Sequence, residues 1–225
     1  MLTETHLLQL IQLASPALPV GAYSYSEGLE TLVHTAVLTN AERLEHWLTQ
    51  ELQHGAVRVE AGVMVRAYQA AIAANYAELA AWNQWLSAFR ETEELREQSW
   101  QMGRSLVRLL QELAPDLNAA IAACGEQVHF AIAFALAAAH WQIDSNAMLL
   151  GYLHSWATNL VNAGIKLIPL GQTVGQKLLL RLHPRLEETA AVALTLSDSQ
   201  LECCSWGLAI ASMNHETLYS RLFRS

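Results

Sequence analysis

An all-α fold is what the sequence predicts: one domain of 225 residues, built as a compact bundle of roughly ten helices. Three observations carry this expectation. Apolar residues recur at helical spacing over long stretches, as in Leu44, Trp47, Leu48, Leu52, Ala56, Val59 and Val63. No stretch shows sustained period-two alternation with β-branched enrichment, so no strand is expected. The chain is 52% hydrophobic and 15% charged, against averages of about 45–50% and about 25%. That composition supplies a core and a surplus for an interface.

The elements follow in order. Leu7 to Leu13 reads as an apolar helix stopped by Pro16 and Pro19, which fix φ and remove two backbone donors. Gly21 is free to reverse the chain. Ser24 and Ser26 are placed to cap a second helix, and Glu27 follows Ser24 at capping-box spacing. Thr39 with Glu42 reads as another capping box, opening one long helix through Val63. Gly55 and Gly62 inside it read as points of close helix–helix approach. Ala70 to Phe89 reads as one or two short helices around Asn75, and Arg90 to Leu113 as a long amphipathic one closed by Pro115-Asp116. Its stripe is Leu95, Met102, Leu106, Leu109 and Leu113.

Asn118 to Ala123 is a short turn of helix. Gln127 to Trp141 is alanine-rich and apolar almost all round, as expected of a buried helix. Ser145 is the expected cap of a helix from Asn146 to Leu167, broken by Pro169. Gln176 to Leu182 reads as helical until His183-Pro184, after which Arg185 to Leu196 continues. Leu201 to Tyr219 is the final helical pattern.

Composition excludes several function classes. The formal net charge is −8 with no long basic run, which disfavours nucleic acid as a partner. The apolar stretch Val128 to Trp141 is too short to span a bilayer, which needs about 20 residues. Met1-Leu-Thr-Glu-Thr-His lacks the basic n-region of a signal peptide. Three cysteines, Cys124, Cys203 and Cys204, form no disulfide framework, which fits a reducing cytoplasm.

Catalytic constellations are absent from the sequence. It has no nucleophile elbow, and Gly171-x-x-x-Gly175 lacks the Lys and the strand of a phosphate-binding loop. The nine histidines form no metal-binding array; His46/His54 and Cys124/His129 are the nearest approaches, and no metal site or cofactor is assigned. Glu93/Glu94 and Glu187/Glu188 are adjacent on helices and so point apart. A small-molecule pocket lined by Trp100, His129, His154 and Trp156 stands as the enzymatic alternative.

Two remaining stretches look built for recognition. The loop Ser15-Pro-Ala-Leu-Pro-Val-Gly-Ala-Tyr-Ser-Tyr-Ser-Glu-Gly-Leu-Glu30 is pinned by its prolines and displays Tyr23 and Tyr25. The end of the chain, Met213-Asn-His-Glu-Thr-Leu-Tyr-Ser-Arg-Leu-Phe-Arg-Ser225, mixes aromatic, aliphatic and basic residues. Tyr and Arg dominate binding hot spots because they join large area to hydrogen bonding.

Both stretches, with Leu167-Ile-Pro-Leu-Gly-Gln-Thr-x-Gly-Gln176 between them, resemble signatures of the UreF family of urease accessory proteins. Asn214 and Leu218 stand where that family carries Arg and Gln. The resemblance implies an all-helical, cytoplasmic, dimeric protein that is not an enzyme. Such a protein bridges a UreD/UreH-type subunit and the GTPase UreG to support GTP-dependent nickel insertion into apo-urease. The alternative is a nickel-binding metallochaperone in its own right. Residues 1–225 would form the helical domain and residues 213–225 a partner-binding tail, ordered against UreD/UreH. The partner-binding residues expected on this basis are Tyr23, Ser24, Tyr25, Glu30, Lys166, His215, Tyr219, Arg221, Leu222, Phe223 and Arg224.

Overall fold

Two apolar helices form the middle of the computed structural model, which describes residues 3–225. Met1 and Leu2, part of the stretch read for a signal peptide, lie outside these residues. Eleven α-helices are present among the described residues, in chain order α1 (Glu4–Leu13), α2 (Leu29–His34), α3 (Ala41–His54), α4 (Ala56–Ile72), α5 (Tyr76–Phe89), α6 (Glu93–Leu113), α7 (Asn118–Ala123), α8 (Phe130–His140), α9 (Ser145–Leu167), α10 (Gln172–Ala193) and α11 (Trp206–His215). No strand occurs among them. The all-α expectation therefore holds.

The central pair is α4 and α8. Every residue of α8 from Ala131 to Ala138 is buried, which is why the sequence there is apolar on all sides. Its small alanines let α4 and α6 approach from two directions. Next to α8, α6 crosses the segment leading into it so closely that a Cβ on Gly103 would lie 1.9 Å from the Val128 carbonyl oxygen. Glycine is required at that crossing. The α3, α9 and α10 helices pack on the other flank of α4.

Several local expectations are corrected. The helix expected from Leu44 to Val63 breaks at Gly55, where the backbone is extended. A Cβ there would meet the folded-back Glu51 carboxylate at 2.1 Å. Ser205, distant in sequence, satisfies the break: its Oγ accepts from Ala56 N–H at 3.2 Å and donates to Glu51 Oε2 at 3.2 Å. Gly62 lies beneath the Leu196 and Leu201 side chains, so it admits a loop rather than another helix.

Caps are corrected too. Asn40 caps α3 by accepting from Arg43 N–H, displacing the expected Thr39/Glu42 box. Asp144 caps α9 in place of Ser145. Asx caps compete well for the same orphan N–H groups. The helix α2 begins after Gly28, at φ 76°, and not at Ser24 or Ser26. Glu27 forms no capping box because its backbone is left-handed, at φ 49°.

Two further boundaries differ. Helix α10 runs unbroken through Pro184, which lies on its exposed face and forfeits only the bond to the Leu180 carbonyl. Helix α11 is shorter than Leu201 to Tyr219. The segment before it runs extended so that Cys204 N–H reaches the His54 carbonyl at 3.0 Å and Ser205 reaches the α3–α4 corner.

Candidate functional site: a loop and tail surface

The loop after α1 and the segment after α11 come together on one face. Gly21, at φ 77°, turns the chain into a single 3-10 turn, Ala22–Ser24. Ser24 Oγ donates to the Gly21 carbonyl at 2.8 Å, fixing that turn. Tyr23 then points outward, 72% exposed, while Tyr25 points inward. The Tyr25 hydroxyl donates to Gln101 Oε1 at 2.7 Å, and its carbonyl accepts from Asn159 at 3.1 Å. Of the two tyrosines, one is presented and one is structural.

The tail folds back along this loop as an extra peptide strand without forming a sheet. Arg224 N–H donates to the Ser24 carbonyl at 2.8 Å. The Ser225 main-chain oxygen accepts from Ser26 N–H at 2.7 Å and from Ser26 Oγ at 2.8 Å. Ser225 Oγ donates to Gln98 Oε1 at 2.6 Å. Glu30, in the first turn of α2, receives Leu222 N–H at 2.7 Å and Phe223 N–H at 2.9 Å. Phe223 is buried, and Lys166 Nζ lies 5.5 Å from its ring centroid.

A second anchor is His215 at the end of α11. Its imidazole is fully buried between two carboxylates, with Nδ1 2.9 Å from Glu94 and Nε2 3.3 Å from Glu30. Glu94 also pairs with Arg221 at 3.1 Å. Helix α2, helix α6 and the tail are thus tied through one ring.

The expected partner-binding residues therefore divide. Ser24, Tyr25, Glu30, His215 and Phe223 hold the surface together from within; Lys166, Arg221 and Arg224 clamp its rim. Tyr23, Tyr219 and Leu222 face outward, Leu222 being 65% exposed and Tyr219 fully so. Phe223 and Arg221, both expected to meet a partner, are also engaged within this chain, Phe223 by Glu30 and Lys166 and Arg221 by Glu94.

Under the loop lies a cavity of about 220 Å³, bounded by α6, α8 and α9 and lined by Glu27, Arg90, Tyr152, Trp156 and Lys166 among others. Glu27 receives Gln98 Nε2 at 3.0 Å and Trp156 Nε1 at 3.1 Å. The Trp100, His129, His154 and Trp156 pocket expected from sequence does not form, since of the four only Trp156 lines this cavity. Trp100 donates to Ser87, His129 is buried against α4, and His154 lies at the surface.

Behind the cavity is a buried polar cluster that sequence reading missed. Arg90 pairs with Glu60 at 2.5 Å, and the Tyr152 hydroxyl donates to the other Glu60 oxygen at 2.7 Å. Burial raises the Glu60 carboxyl above its ordinary range, opposed by Arg90, and raises the Tyr152 phenol well above its own. Burial, aided by Arg90, pushes the His129 imidazole well below its ordinary value. Glu60 falls on the apolar face of α4; an acid at a core position was the available signal. Asn83 holds the adjoining segment, accepting from His129 N–H and donating to the Cys124 and Gln127 carbonyls.

No three His, Cys, Asp or Glu side chains are grouped to hold a metal ion among the described residues. Burial raises the Cys124 thiol to about 11, far from a reactive thiolate. Among the described residues, no helix is long and apolar enough to cross a membrane.

Comparison with known proteins bears on what this surface is. The family model described as UreF matches residues 38–183. The chain is 58% identical to the urease accessory protein UreF of Trichormus variabilis over 224 residues, covering 100% of this chain and 98% of that protein. It is 56% identical to the protein of the same name from Microcystis aeruginosa, with both chains fully covered. Against that of Dechloromonas aromatica the identity is 42%, again across the whole of both chains. The loop and tail that the fold brings together therefore sit in a chain that belongs to the UreF family of urease accessory proteins.

Proposed function

We propose that this chain is a non-catalytic assembly factor that bridges a UreD/UreH-type subunit and a UreG-type GTPase, supporting GTP-dependent nickel insertion into apo-urease. It works in the cytoplasm as a homodimer, without a cofactor of its own. The observation that carries the reading is the composite surface in which the tail is bonded to the loop from Ser24 to Glu30. A docked tail with Tyr219 and Leu222 left outward is a rigid platform carrying unspent apolar area. Rigid aromatic anchors bind with little loss of conformational freedom.

Tyr23, Tyr219 and Leu222 are then the residues that meet the partner, and Glu30, His215 and Phe223 those that shape the platform. Co-purification of the chain with candidate urease accessory subunits, with and without GTP, tests the reading. Deleting Leu218 to Ser225 is expected to keep the helical spectrum and abolish capture of the UreD/UreH-type subunit. Unchanged capture contradicts it. GTP turnover is expected only when the GTPase is present.

A further inference from the structure

The tertiary fold pairs two histidines that the sequence leaves far apart. His154 is on α9 and His183 on α10, with ring centroids 5.9 Å apart and planes at 53°. The first is exposed and the second partly so, and neither lies at the loop and tail surface. Among the described residues, neither ring makes a hydrogen bond or an ion pair with another protein group. Side-by-side imidazoles repel when both are protonated, and no hydrogen bond between these two rings holds them together. What they do present is two unshared nitrogen lone pairs on a rigid helix pair.

We propose that His154 and His183 form a two-imidazole site for a borderline divalent transition cation, such as Ni²⁺ or Zn²⁺, with water filling the remaining positions. Neutral imidazole suits these ions, whereas Mg²⁺ and Ca²⁺ select oxygen ligands. The geometry is within reach. With metal–nitrogen bonds of about 2.0–2.1 Å, two imidazoles on one ion stand with centroids roughly 4.5–5 Å apart. Closing from the observed separation takes a small rotation of the exposed His154 ring. Partial burial and the neighbouring His183 lower the pKa of His154, so less proton competition opposes metal. The two helices pack along their length, which fixes the site without a third protein ligand.

This inference does not depend on partner capture and concerns a different face of the chain. The test is calorimetric titration of the purified full chain with Ni²⁺, with Mg²⁺ as the hard-cation control. Saturable binding of one Ni²⁺ is expected, with no Mg²⁺ heat. His154→Gln and His183→Gln should each weaken Ni²⁺ at least tenfold, the double variant more than either single one, and His46→Gln not at all. Circular dichroism checks that the folds match. In parallel, Cu²⁺ electron paramagnetic resonance should report two coordinated nitrogens in the parent chain and one in each single variant. Ni²⁺ affinity unmoved by either substitution, or an unchanged nitrogen count, overturns the proposal.

Discussion

Glu30 holds Phe223 by its backbone: the carboxylate accepts the Phe223 N–H at 2.9 Å, while its other oxygen takes the Leu222 N–H at 2.7 Å. One acidic side chain in the first turn of α2 thus sets the path of the tail. Its charge also lies near the positive end of that helix.

Replacing Glu30 by Gln removes the charge and puts an amide donor against one of the two N–H groups. Charge-assisted hydrogen bonds of this kind contribute about 1.5–3 kcal/mol. Hydrogen exchange at the Leu222 and Phe223 amides is expected to accelerate by roughly tenfold or more, with the helices unaffected. Equal protection in the two proteins would show that the tail is held elsewhere.

Glu51 makes stability depend on pH. Burial raises its carboxyl from 4.5 to about 7, against the lowering effect of Ser205. Between those values the folded chain keeps a proton that the unfolded chain has released. Stability therefore falls as pH rises through this window, by on the order of 3 kcal/mol once it is passed. Glu51→Gln is expected to flatten that slope and to be the more stable protein at pH 8. Burial acts on Glu60 in the same direction and leaves part of the slope in place. Urea unfolding of both proteins at pH 5 and pH 8 reads the difference. A pH 5 to pH 8 difference that is the same in the parent and in Glu51→Gln refutes the assignment, since the buried neutral His129 adds a slope of opposite sign to both proteins.

The Arg90–Glu60 pair is buried on both sides, with side-chain exposures of 5% and 2%. Breaking it by Arg90→Ala leaves the Glu60 carboxyl without its partner and is expected to cost about 3–5 kcal/mol. Adding Glu60→Leu to that variant should return part of the loss, since no charge then remains to be buried. Denaturant midpoints of the single and double variants measure this. A double variant less stable than Arg90→Ala contradicts it.

Gly103→Ala places a methyl against the Val128 carbonyl, at 1.9 Å in the present backbone. Backbone must move, and overpacking of this kind costs about 1–3 kcal/mol or more. A lowered thermal midpoint with an unchanged helical spectrum is the expected result. Gly21→Ala has open space around it, and its cost comes instead from a backbone at φ 77°.

Much of the fold was legible because periodicity is local. The stripes of α3, α4 and α6, the all-round apolar face of α8 and the proline stop after α1 each follow from residues within a few turns. The breaks were harder. Gly55 ends α3 where Ser205 arrives to cap Ala56 and hold Glu51, and no window around Gly55 contains that serine. Pro184 reads as a breaker, yet it is tolerated because its side of α10 faces solvent. The loop and tail were marked by their residues, but the division among them was not. Tyr23 and Tyr25 look alike in sequence, and the single turn at Ala22–Ser24 sends one out and the other in.

By itself the sequence determined the all-helical class and the two recognition stretches, because hydrophobic period, proline and glycine act over a few residues. Only the tertiary structure decided that the tail lies on the loop, that Arg90 finds Glu60 inside the bundle, and that His154 stands beside His183. Those are meetings between helices, fixed by packing angles and burial, and burial is also what gives each of them its chemistry.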